Sequence, residues 1–268
     1  MRVALPCVLA IGGLDPGGGA GVIADLRAIA AAGAFGGAVV AVSTVQSTSG
    51  LRATRTLSPR EIVAQAGEVL RHQRVRAVKI GALGSAANVA AIAHLLSRHP
   101  EAAVVVDTPM LPSRGRGRLL ARTALVPLRE QLVPRATLVT VNTTEAGALL
   151  GSPVRSEGEA HDAARALVAQ GAFAALVKGG HLDGASATDV LAVGAEVVEL
   201  RARRIPGGGA HGTGCTFAAL VAGRLAMRRR RDVDRNALVD AVRWAKRAHH
   251  AALARAVDVG GRAPVLVF

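Results

Sequence analysis

The chain has 268 residues, half of them hydrophobic, so it can bury a large core without disulfides or metals to stabilise it. Its formal net charge of +14 would by itself favour nucleic acid or an anionic membrane as a partner. Only 2% of the residues are aromatic and none is Tyr, so a base-stacking surface is hard to build; we interpret the excess Arg as solvated surface charge and expect no specific nucleic-acid partner.

Two early apolar stretches resemble export or membrane signals. Residues 3–14 lack a basic start and end in Asp15-Pro16, which favours a buried strand over a signal peptide. Residues 28–51 carry no acidic or basic side chain and are long enough to resemble a membrane span. Glycines interrupt this stretch, so we predict a helix end, a turn and a buried strand instead. Two cysteines are too few for a disulfide framework. We therefore expect a soluble, cytoplasmic protein with no membrane partner.

Seven short apolar runs alternate with helical patterns along the chain. Each run is continuously apolar, which is typical of strands buried on both faces of a parallel sheet. The runs are residues 3–11, 38–42, 75–80, 103–107, 137–140, 174–178 and 197–200. This order predicts an α/β fold, a three-layer helix–sheet–helix sandwich with a mostly parallel central sheet. Because the chain shows neither a low-complexity linker nor an internal repeat, we expect residues 1–268 to form a single domain.

Capping signals mark several helix boundaries. Ser58, Pro59 and Glu61 form a capping box with Pro in the first turn, where its missing N–H is harmless. A helix starting near Glu157 is predicted to stop at Gly171, since glycine commonly terminates helices. Two final helices are predicted over residues 213–227 and 235–256, with a basic turn at 228–231 between them.

Two glycine-rich clusters are candidate phosphate sites. The chain contains no Gly-Lys dipeptide, which excludes a Walker-type phosphate loop. The first cluster, residues 12–21, follows a strand and opens a helix, but no acid lies between Asp25 and Glu61 to hold a dinucleotide ribose. The second, residues 207–212, leads into a helix and then four arginines. Hydride transfer with a nicotinamide cofactor is therefore the weaker interpretation of both clusters.

The second cluster ends at a predicted helix N-terminus. Gly212 and Gly214, with Thr213 between them, allow successive backbone N–H groups to point at one spot, where the helix dipole adds positive charge. The sequence therefore predicts an anion hole. Cys215 lies in the same turn, so its thiol is expected to be more acidic than a free one. The alternative is a small buried residue at the start of a packed helix.

Eight motifs follow one another over most of the chain, from about residue 8 to residue 250. They occupy residues 11–21, 24–26, 33–36, 79–81 (Lys-Ile-Gly), 105–107 (Val-Val-Asp), 142–146 (Asn-Thr-Thr-Glu-Ala), 178–181 (Lys-Gly-Gly-His) and 211–216 (His-Gly-Thr-Gly-Cys-Thr). In this order they resemble the motifs of hydroxymethylpyrimidine and phosphomethylpyrimidine kinases of thiamine biosynthesis, members of the ribokinase-like superfamily. The resemblance implies transfer of the ATP γ-phosphoryl group to the hydroxymethyl oxygen of an aminopyrimidine, and then to the resulting monophosphate. We also expect a homodimer.

The resemblance assigns catalysis to the start of the last motif. The backbone amides of Gly212, Thr213 and Gly214 match the family's anion hole, which would hold the negative charge that spreads over the moving phosphoryl group. Cys215 is then the candidate that accepts the alcohol proton, because this family has Cys where many ribokinase-like relatives have an Asp base. A thiolate at a helix N-terminus is chemically plausible in that role.

Other strand-end residues are assigned to ATP and Mg²⁺ by the same resemblance. Asp107 ends a strand, where an α/β sheet places its ligand crevice, and is implied near Mg²⁺ and the phosphates. Asn142 and Glu145 are implied to organise Mg²⁺ and phosphate, although Asn at an N-cap with Glu three residues on is also a capping box. Lys178 is expected on the ATP phosphates, since a compact ammonium suits phosphate. Lys79, at a similar strand end, is left without a role.

The acceptor side is implied to include Gln46, Asp25, Gly13 and Ala82. An amide such as that of Gln46 offers the donor and acceptor that an aminopyrimidine edge demands. The pattern departs from the family here, since Ala82 replaces a common Met and Leu14 replaces a Ser or Thr. The smaller side chain at Ala82 would enlarge the pocket for a bulkier acceptor.

Two rival functions stay open. The first is a pyridoxal or pyridoxine kinase of the same superfamily, which would use the larger acceptor pocket. The second is a non-catalytic pyrimidine-binding or regulatory protein that kept the site without turnover. The intact Cys215, Lys178 and Asp107 argue against the second.

Overall fold

A nine-stranded sheet forms the centre of the computed structural model, which describes residues 4–112, 114–182, 184–205, 209–228 and 233–268. The strands are β1 (Cys7–Leu14), β2 (Phe35–Ser47), β3 (Gly50–Thr56), β4 (Val75–Ile80), β5 (Ala103–Asp107), β6 (Leu138–Asn142), β7 (Ala174–Lys178), β8 (Ser186–Val193) and β9 (Glu196–Arg203). Their order across the sheet is β3-β2-β1-β4-β5-β6-β7-β8-β9. The six strands from β2 to β7 in this order are parallel, while β3 pairs antiparallel at one edge and β8 and β9 pair antiparallel at the other.

Helices cover both faces of the sheet. They are α1 (Gly21–Ala31), α2 (Pro59–His72), α3 (Ala86–Ser97), the single turn α4 (Leu125–Pro127) within a run of short turns over residues 122–135, α5 (Thr143–Leu150), α6 (Glu157–Ala169), α7 (Thr213–Ala226) and α8 (Arg235–Ala254). Buried residues of α2, α3, the 122–135 turns, α5 and α6 form one core, and those of α1, α7 and α8 form the other. The predicted helix–sheet–helix sandwich is confirmed.

Alternation along β1 shows why the central strands are apolar throughout. Val8 and Ala10 belong to the core beneath α1 and α7, while Leu9 and Ile11 belong to the opposite core. Successive side chains of a strand point to opposite faces, so a strand covered on both sides needs apolar residues at every position. All four of these side chains are fully buried.

Small residues let α7 pack tightly into its layer. Nearly every residue of α7 from Thr216 onward is buried, and the helix is rich in Ala and Gly. A Cβ added at Gly223 would lie 2.6 Å from the Ala32 Cβ, next to α1. Close packing of α7 between α1, α8 and the sheet fixes where its N-terminus lies.

The predicted strand boundaries are confirmed for the three central strands β4, β5 and β7. Two strands are missing from the sequence prediction: β3, whose outer residues are exposed, and β8, which begins with polar residues and contains Asp189. A search for continuous apolar runs misses such antiparallel strands, because they need not be apolar on both faces. The first strand begins at Cys7 instead of Val3, which itself lies outside the described residues.

The capping predictions are confirmed where they can be compared. Ser58 accepts a hydrogen bond from the backbone of Glu61 in a complete capping box. Helix α6 ends at Ala169, and Gly171 follows its C-cap residue with a φ of +104°. Helix α8 ends two residues earlier than predicted. Residues 207 and 208 of the second glycine cluster and 229–231 of the basic turn lie outside the described residues.

The C-terminal ends of the parallel strands meet at one edge of the sheet. In the β6–β7 register Asn142 lies opposite Lys178, and Asp107 at the end of β5 is paired with Thr140 of β6. Across the described ranges, every helix is too short or too polar to cross a membrane.

Candidate active site

Lys178 and Asp107 form an ion pair at the C-terminal edge of the sheet. The Lys178 Nζ lies 3.1 Å from Asp107 Oδ1, which also accepts a hydrogen bond of 3.1 Å from the Thr140 hydroxyl. Asp107 is only 3% exposed. Burial opposes its charge, but the ammonium groups of Lys178 and Lys79 outweigh burial and lower the pKa of the carboxyl. The pair therefore presents a buried carboxylate beside a fixed cation.

The N-terminus of α7 lies directly beside this pair. Gly212 caps the helix in the left-handed conformation, with a φ of +80°. A Cβ added at Gly214 would lie 3.3 Å from Lys178 Nζ and 3.9 Å from Asp107 Oδ2. The first backbone amides of α7 and the Lys178 ammonium therefore share one region, and a side chain at Gly214 would intrude on it. The structure brings together the residues expected to form the anion hole.

The predicted acidity of Cys215 is wrong for the protein alone. Its side chain is partly buried. Burial raises the pKa of the thiol to about 12, and the carboxylates of Asp107 and Asp25 act in the same direction. The Lys79 ammonium and the backbone N–H of Gly21 favour the thiolate but do not outweigh burial. The sequence-based prediction considered only the positive charge at the helix N-terminus. It did not include the burial of the thiol or the carboxylates near the sulfur, which both raise the pKa.

Lys79 and Asp25 form a second ion pair beneath the site. Nζ and Oδ2 are 2.8 Å apart, and the two side chains are 1% and 0% exposed. Burial raises the pKa of Asp25 to about 6 despite the attraction of Lys79. The other carboxylate oxygen, Asp25 Oδ1, has no hydrogen-bond partner within the part of the chain that the structure describes. Asp25 thus lies in the floor of the site, and its contact with the acceptor stays a prediction.

Asn142 and Glu145 form the capping box of α5. The Asn142 Oδ1 accepts from the Glu145 N–H, and Glu145 Oε2 accepts from the Asn142 N–H, both at 2.8 Å. Burial raises the pKa of Glu145 to about 7, with Lys178 acting against the rise and Asp107 adding to it. Glu145 is therefore close enough to both members of the ion pair to interact electrostatically with them. The structural alternative is confirmed, and the Met110 backbone N–H gives the Glu145 carboxyl group a further hydrogen bond.

Gln46 lies at the end of β2 in a polar cluster that the sequence analysis missed. Its Nε2 is 3.2 Å from His211 Nε2, which is 2.9 Å from Asp15 Oδ2. Asp15 also accepts backbone hydrogen bonds from Gly17 and Ala20. Burial raises the pKa of Asp15, but these donors and the His211 ring lower it further than burial raises it. The signal was present in the sequence, since Asp15 and His211 each lie within one of the two glycine-rich clusters.

Gly13 and Ala82 lie on one wall near this cluster. A Cβ added at Gly13 would lie 3.5 Å from the Ala82 Cβ. A small, mostly apolar cavity lies beside Ala82 and is also lined by Leu83, Asp107 and Thr108. The cavity measures only about 10 Å³, so the small side chain at Ala82 leaves room beside it for a water molecule at most.

A second missed pair fixes the turn that follows Lys178. Asp189 on β8 accepts from the Gly179 N–H at 3.0 Å and pairs with Lys246 of α8 at 2.6 Å. Asp189 is 4% exposed. Since Gly179 directly follows Lys178, this pair holds in place the chain that carries the ammonium.

The donor set near Asp107 suits a magnesium ion that is shared with phosphates. In the described ranges, no three His, Cys, Asp or Glu side chains cluster into a complete metal site. Mg²⁺ in phosphoryl-transfer sites typically takes one or two carboxylates, water and substrate phosphate oxygens. Asp107 and Glu145 offer two carboxyl groups beside the anion hole, so the residues fit such an ion.

Comparison with known proteins gives a consistent picture. A family model described as phosphomethylpyrimidine kinase matches residues 15–266. A hydroxymethylpyrimidine/phosphomethylpyrimidine kinase of Rhizobium meliloti (strain 1021) is 40% identical over 261 residues, which cover 96% of this chain and 95% of that protein.

Two solved structures share the fold closely. An ADP complex of pyridoxal kinase from Bacillus subtilis superposes with a TM-score of 0.88 at 27% identity, covering 98% of this chain and 97% of that one. A phosphomethylpyrimidine kinase from Clostridium difficile 630 superposes with a TM-score of 0.78 at 29% identity, covering 92% of this chain and 99% of that one.

Proposed function

The chain belongs to the phosphomethylpyrimidine kinase family, and from this membership we propose that it phosphorylates 4-amino-5-hydroxymethyl-2-methylpyrimidine and then the monophosphate formed. It is a phosphotransferase of thiamine biosynthesis that uses ATP. The observation that carries the proposal is the placement of Lys178, Asp107 and the N-terminus of α7 at one edge of the sheet.

Lys178 and the first amides of α7 bind the transferred phosphoryl group in this proposal. Phosphoryl transfer spreads negative charge over the equatorial oxygens, so catalysis depends on positioning and on fixed positive partners. Lys178 is held by Asp107, and the turn after it is held by Asp189. The amides of Gly212, Thr213 and Gly214 add directed donors beside the ammonium.

Cys215 is the residue we assign to the alcohol proton. Its thiol is protonated at neutral pH in the protein alone, because burial raises its pKa to about 12. The Lys79 ammonium is the largest influence that favours the thiolate. Only the thiolate can take the alcohol proton, so in this proposal the thiol first gives its own proton to water. The thiolate, whose conjugate acid is weak, then takes the proton that the acceptor oxygen loses as it bonds to phosphorus.

Asp107 and Glu145 would hold Mg²⁺ together with ATP phosphate oxygens, and Asn142 would support them through the cap of α5. The ion, when bound, neutralises charge on the phosphates. Asp107 supplies a carboxylate that stays ionised, since its pKa is lowered.

Gln46, Gly13, Ala82 and the buried Asp25 form the acceptor side in this proposal. Gln46 is partly exposed at the end of β2, with its amide nitrogen 3.2 Å from His211 Nε2. An oriented amide can pair with a ring nitrogen and an exocyclic amine.

A single-turnover experiment tests the proposed function. The purified chain is mixed with ATP, Mg²⁺ and the hydroxymethylpyrimidine, and the monophosphate and diphosphate are resolved by chromatography. We expect the monophosphate to appear first and the diphosphate to follow. Absence of any phosphorylated pyrimidine would refute the assignment.

Pyridoxal kinase activity is the second candidate. The high structural similarity to the Bacillus subtilis pyridoxal kinase favours testing it. The same single-turnover experiment with pyridoxal decides between the two, because a true pyridoxal kinase would phosphorylate pyridoxal faster than the pyrimidine. Catalysis itself follows from the family, which disfavours the non-catalytic alternative.

We further propose that residues 1–268 act as one ribokinase-like domain, as a cytoplasmic homodimer. The family match over residues 15–266 supports the single domain, and the need for ATP supports the location. Sedimentation analysis of the purified chain tests the dimer, which a monomeric mass at micromolar concentration would rule out.

A further inference from the structure

His249 contacts the start of α7 from another helix, α8. Its Nε2 lies 2.9 Å from the carbonyl oxygen of Thr213. Its ring packs edge-on against Phe217, with ring centroids 5.7 Å apart and planes inclined at 80°. Edge-to-face contact is a favoured aromatic geometry, and Phe217 is itself buried. The contact therefore fixes the plane in which the imidazole nitrogen faces the carbonyl.

The imidazole acts as a neutral donor in this contact. Burial lowers the pKa of His249 to about 4, with the hydrogen bond to Thr213 acting against the decrease and the charges of Lys246 and Lys178 adding to it. A neutral imidazole carries one N–H, and a carbonyl oxygen can only accept. The proton therefore lies on Nε2, and His249 donates it to Thr213.

The Thr213 carbonyl and the Gly214 N–H belong to one rigid peptide unit. Cis peptide bonds are absent from the described ranges, so the carbonyl and the N–H of this unit point in opposite directions. Gly214 is the residue whose added Cβ would lie 3.3 Å from Lys178 Nζ. A donor that binds the Thr213 carbonyl thus also helps to set the direction of the Gly214 N–H. It further polarises that N–H through the peptide unit.

Bonds within α7 also hold this peptide unit. Thr213 is the first residue of the helix, so its carbonyl oxygen takes the backbone N–H of Phe217 as well. The Thr216 hydroxyl lies 3.1 Å from the carbonyl oxygens of both Gly212 and Thr213. A hydroxyl has one proton, so it divides its donation between the two acceptors. His249 adds a donor that comes from outside α7 and is directed at Thr213.

We propose that His249 is a positioning residue for phosphoryl transfer, which through the Thr213 carbonyl aims the Gly214 N–H at the γ-phosphoryl group. The inference rests on the proposed function of the α7 N-terminus. His249 neither contacts the reacting atoms nor transfers a proton in this role.

Three substitutions test the proposal. His249→Phe keeps an aromatic ring against Phe217 but removes the donor, and we expect kcat to fall about tenfold, less than the loss for deleting an oxyanion donor outright. The KM for the pyrimidine should stay within about twofold, because the acceptor side is untouched. His249→Gln retains an N–H of similar reach and should recover most of kcat. His250→Phe is the matched control, since the neighbouring His250 contacts the carbonyl of Arg203 instead.

A binding measurement separates this inference from the proposed function. Titration with ADP and with AMP-PCP, a nonhydrolysable ATP analogue, gives the gain in affinity from the γ-phosphate. We expect the wild type and His249→Gln to show that gain, and His249→Phe to lose most of it, whether or not the pyrimidine is the acceptor. Should His249→Phe fail to fold, His249→Leu replaces it, because Leu is apolar and has no N–H to donate. The proposal is overturned if the donor-free variant keeps the γ-phosphate gain, if Gln gives no recovery, or if His250→Phe causes an equal loss.

Discussion

Cys215 is the residue whose chemistry depends most on its surroundings. The positive end of α7 and Lys79 stabilise a thiolate, while desolvation and the nearby Asp107 and Asp25 oppose it. Desolvation and the two carboxylates have the larger effect and raise the pKa of the thiol to about 12. Two consequences can be measured at this residue.

Replacement of Cys215 by Ala should lower turnover about a hundredfold or more, since it removes the proton acceptor. Nucleotide affinity should stay nearly unchanged, because the α7 amides and Lys178 remain in place. Rapid-quench kinetics and titration with ADP measure the two quantities. Cys7→Ala is the control, as Cys7 is buried at the start of β1 and contacts Gln73. Normal turnover in Cys215→Ala would remove the thiol from the mechanism.

The raised pKa predicts how Cys215 reacts with iodoacetamide. Only the thiolate is alkylated, and below the folded pKa the thiolate fraction grows about tenfold per pH unit. We therefore expect slow alkylation at pH 7 and a steady rise up to pH 10. Mass spectrometry of the Cys215 peptide follows the reaction, and the buried Cys7 reports any unfolding. A plateau near pH 8 would show that the thiol is as acidic as the helix terminus alone suggests.

At the scale of elements, the turn before α7 depends on its contact with the loop after β1. Gly212 has a φ of +80°, and a Cβ added there would lie 2.0 Å from the Gly19 carbonyl oxygen. The obstacle is backbone, which cannot move aside as a flexible side chain would. His211, one residue earlier, is bonded to Asp15 in the same loop. The two glycine clusters therefore form one packed unit.

Gly212→Ala should reduce the free energy of unfolding by more than about 2 kcal/mol, because it combines an unfavourable φ with a backbone clash. Gly67→Ala provides a matched control of opposite sign. Gly67 lies within α2 with nothing within 4 Å of an added Cβ, so the substitution should stabilise by about 0.5–1 kcal/mol. Urea denaturation monitored by circular dichroism measures both. Equal stability of the two variants would contradict the packing described for Gly212.

At the scale of the whole molecule, the lysines are distributed very differently from the arginines. The chain has 33 Lys and Arg, but its three lysines all pair with aspartates: Lys79 with Asp25, Lys178 with Asp107 and Lys246 with Asp189. Their side chains are 1%, 17% and 15% exposed. Arginines such as Arg71 instead lie on the surface. In this chain, each lysine therefore belongs to a largely buried ion pair with an aspartate.

This distribution predicts resistance to a lysine-specific protease. All three lysines lie in strands or helices, so cleavage requires unfolding and should be at least about a hundredfold slower in the native than in the denatured chain. Binding of ATP to the native state should slow it further. An arginine-specific protease is the control and should cut the native chain at exposed loops. Rapid native cleavage at any lysine, followed by mass spectrometry, would contradict the buried pairing.

Much of the fold and the membership of the site could be predicted from local signals. The continuous apolar runs located β4, β5 and β7, and the capping boxes at Ser58 and Asn142 are formed as the spacing indicates. The last motif predicted an anion hole at the start of α7, and in the structure this helix begins beside the Lys178 ammonium. The antiparallel strands β3 and β8 were not predicted, because β3 is exposed on both faces beyond Leu51 and Asp189 interrupts β8.

What the sequence alone determined was therefore the layer architecture, the family and the set of residues at the sheet edge, since periodicity, capping and motif order act over short stretches of chain. Only the tertiary structure decided the ionisation of Cys215, the Asp15–His211 and Asp189–Lys246 pairs, and the contact of His249 with Thr213. Each of these joins residues that are tens to hundreds of positions apart. The burial of an atom and the charges near it depend on all the elements packed around it. Those elements come together only when the chain folds, so a short stretch of sequence does not reveal their combined effect.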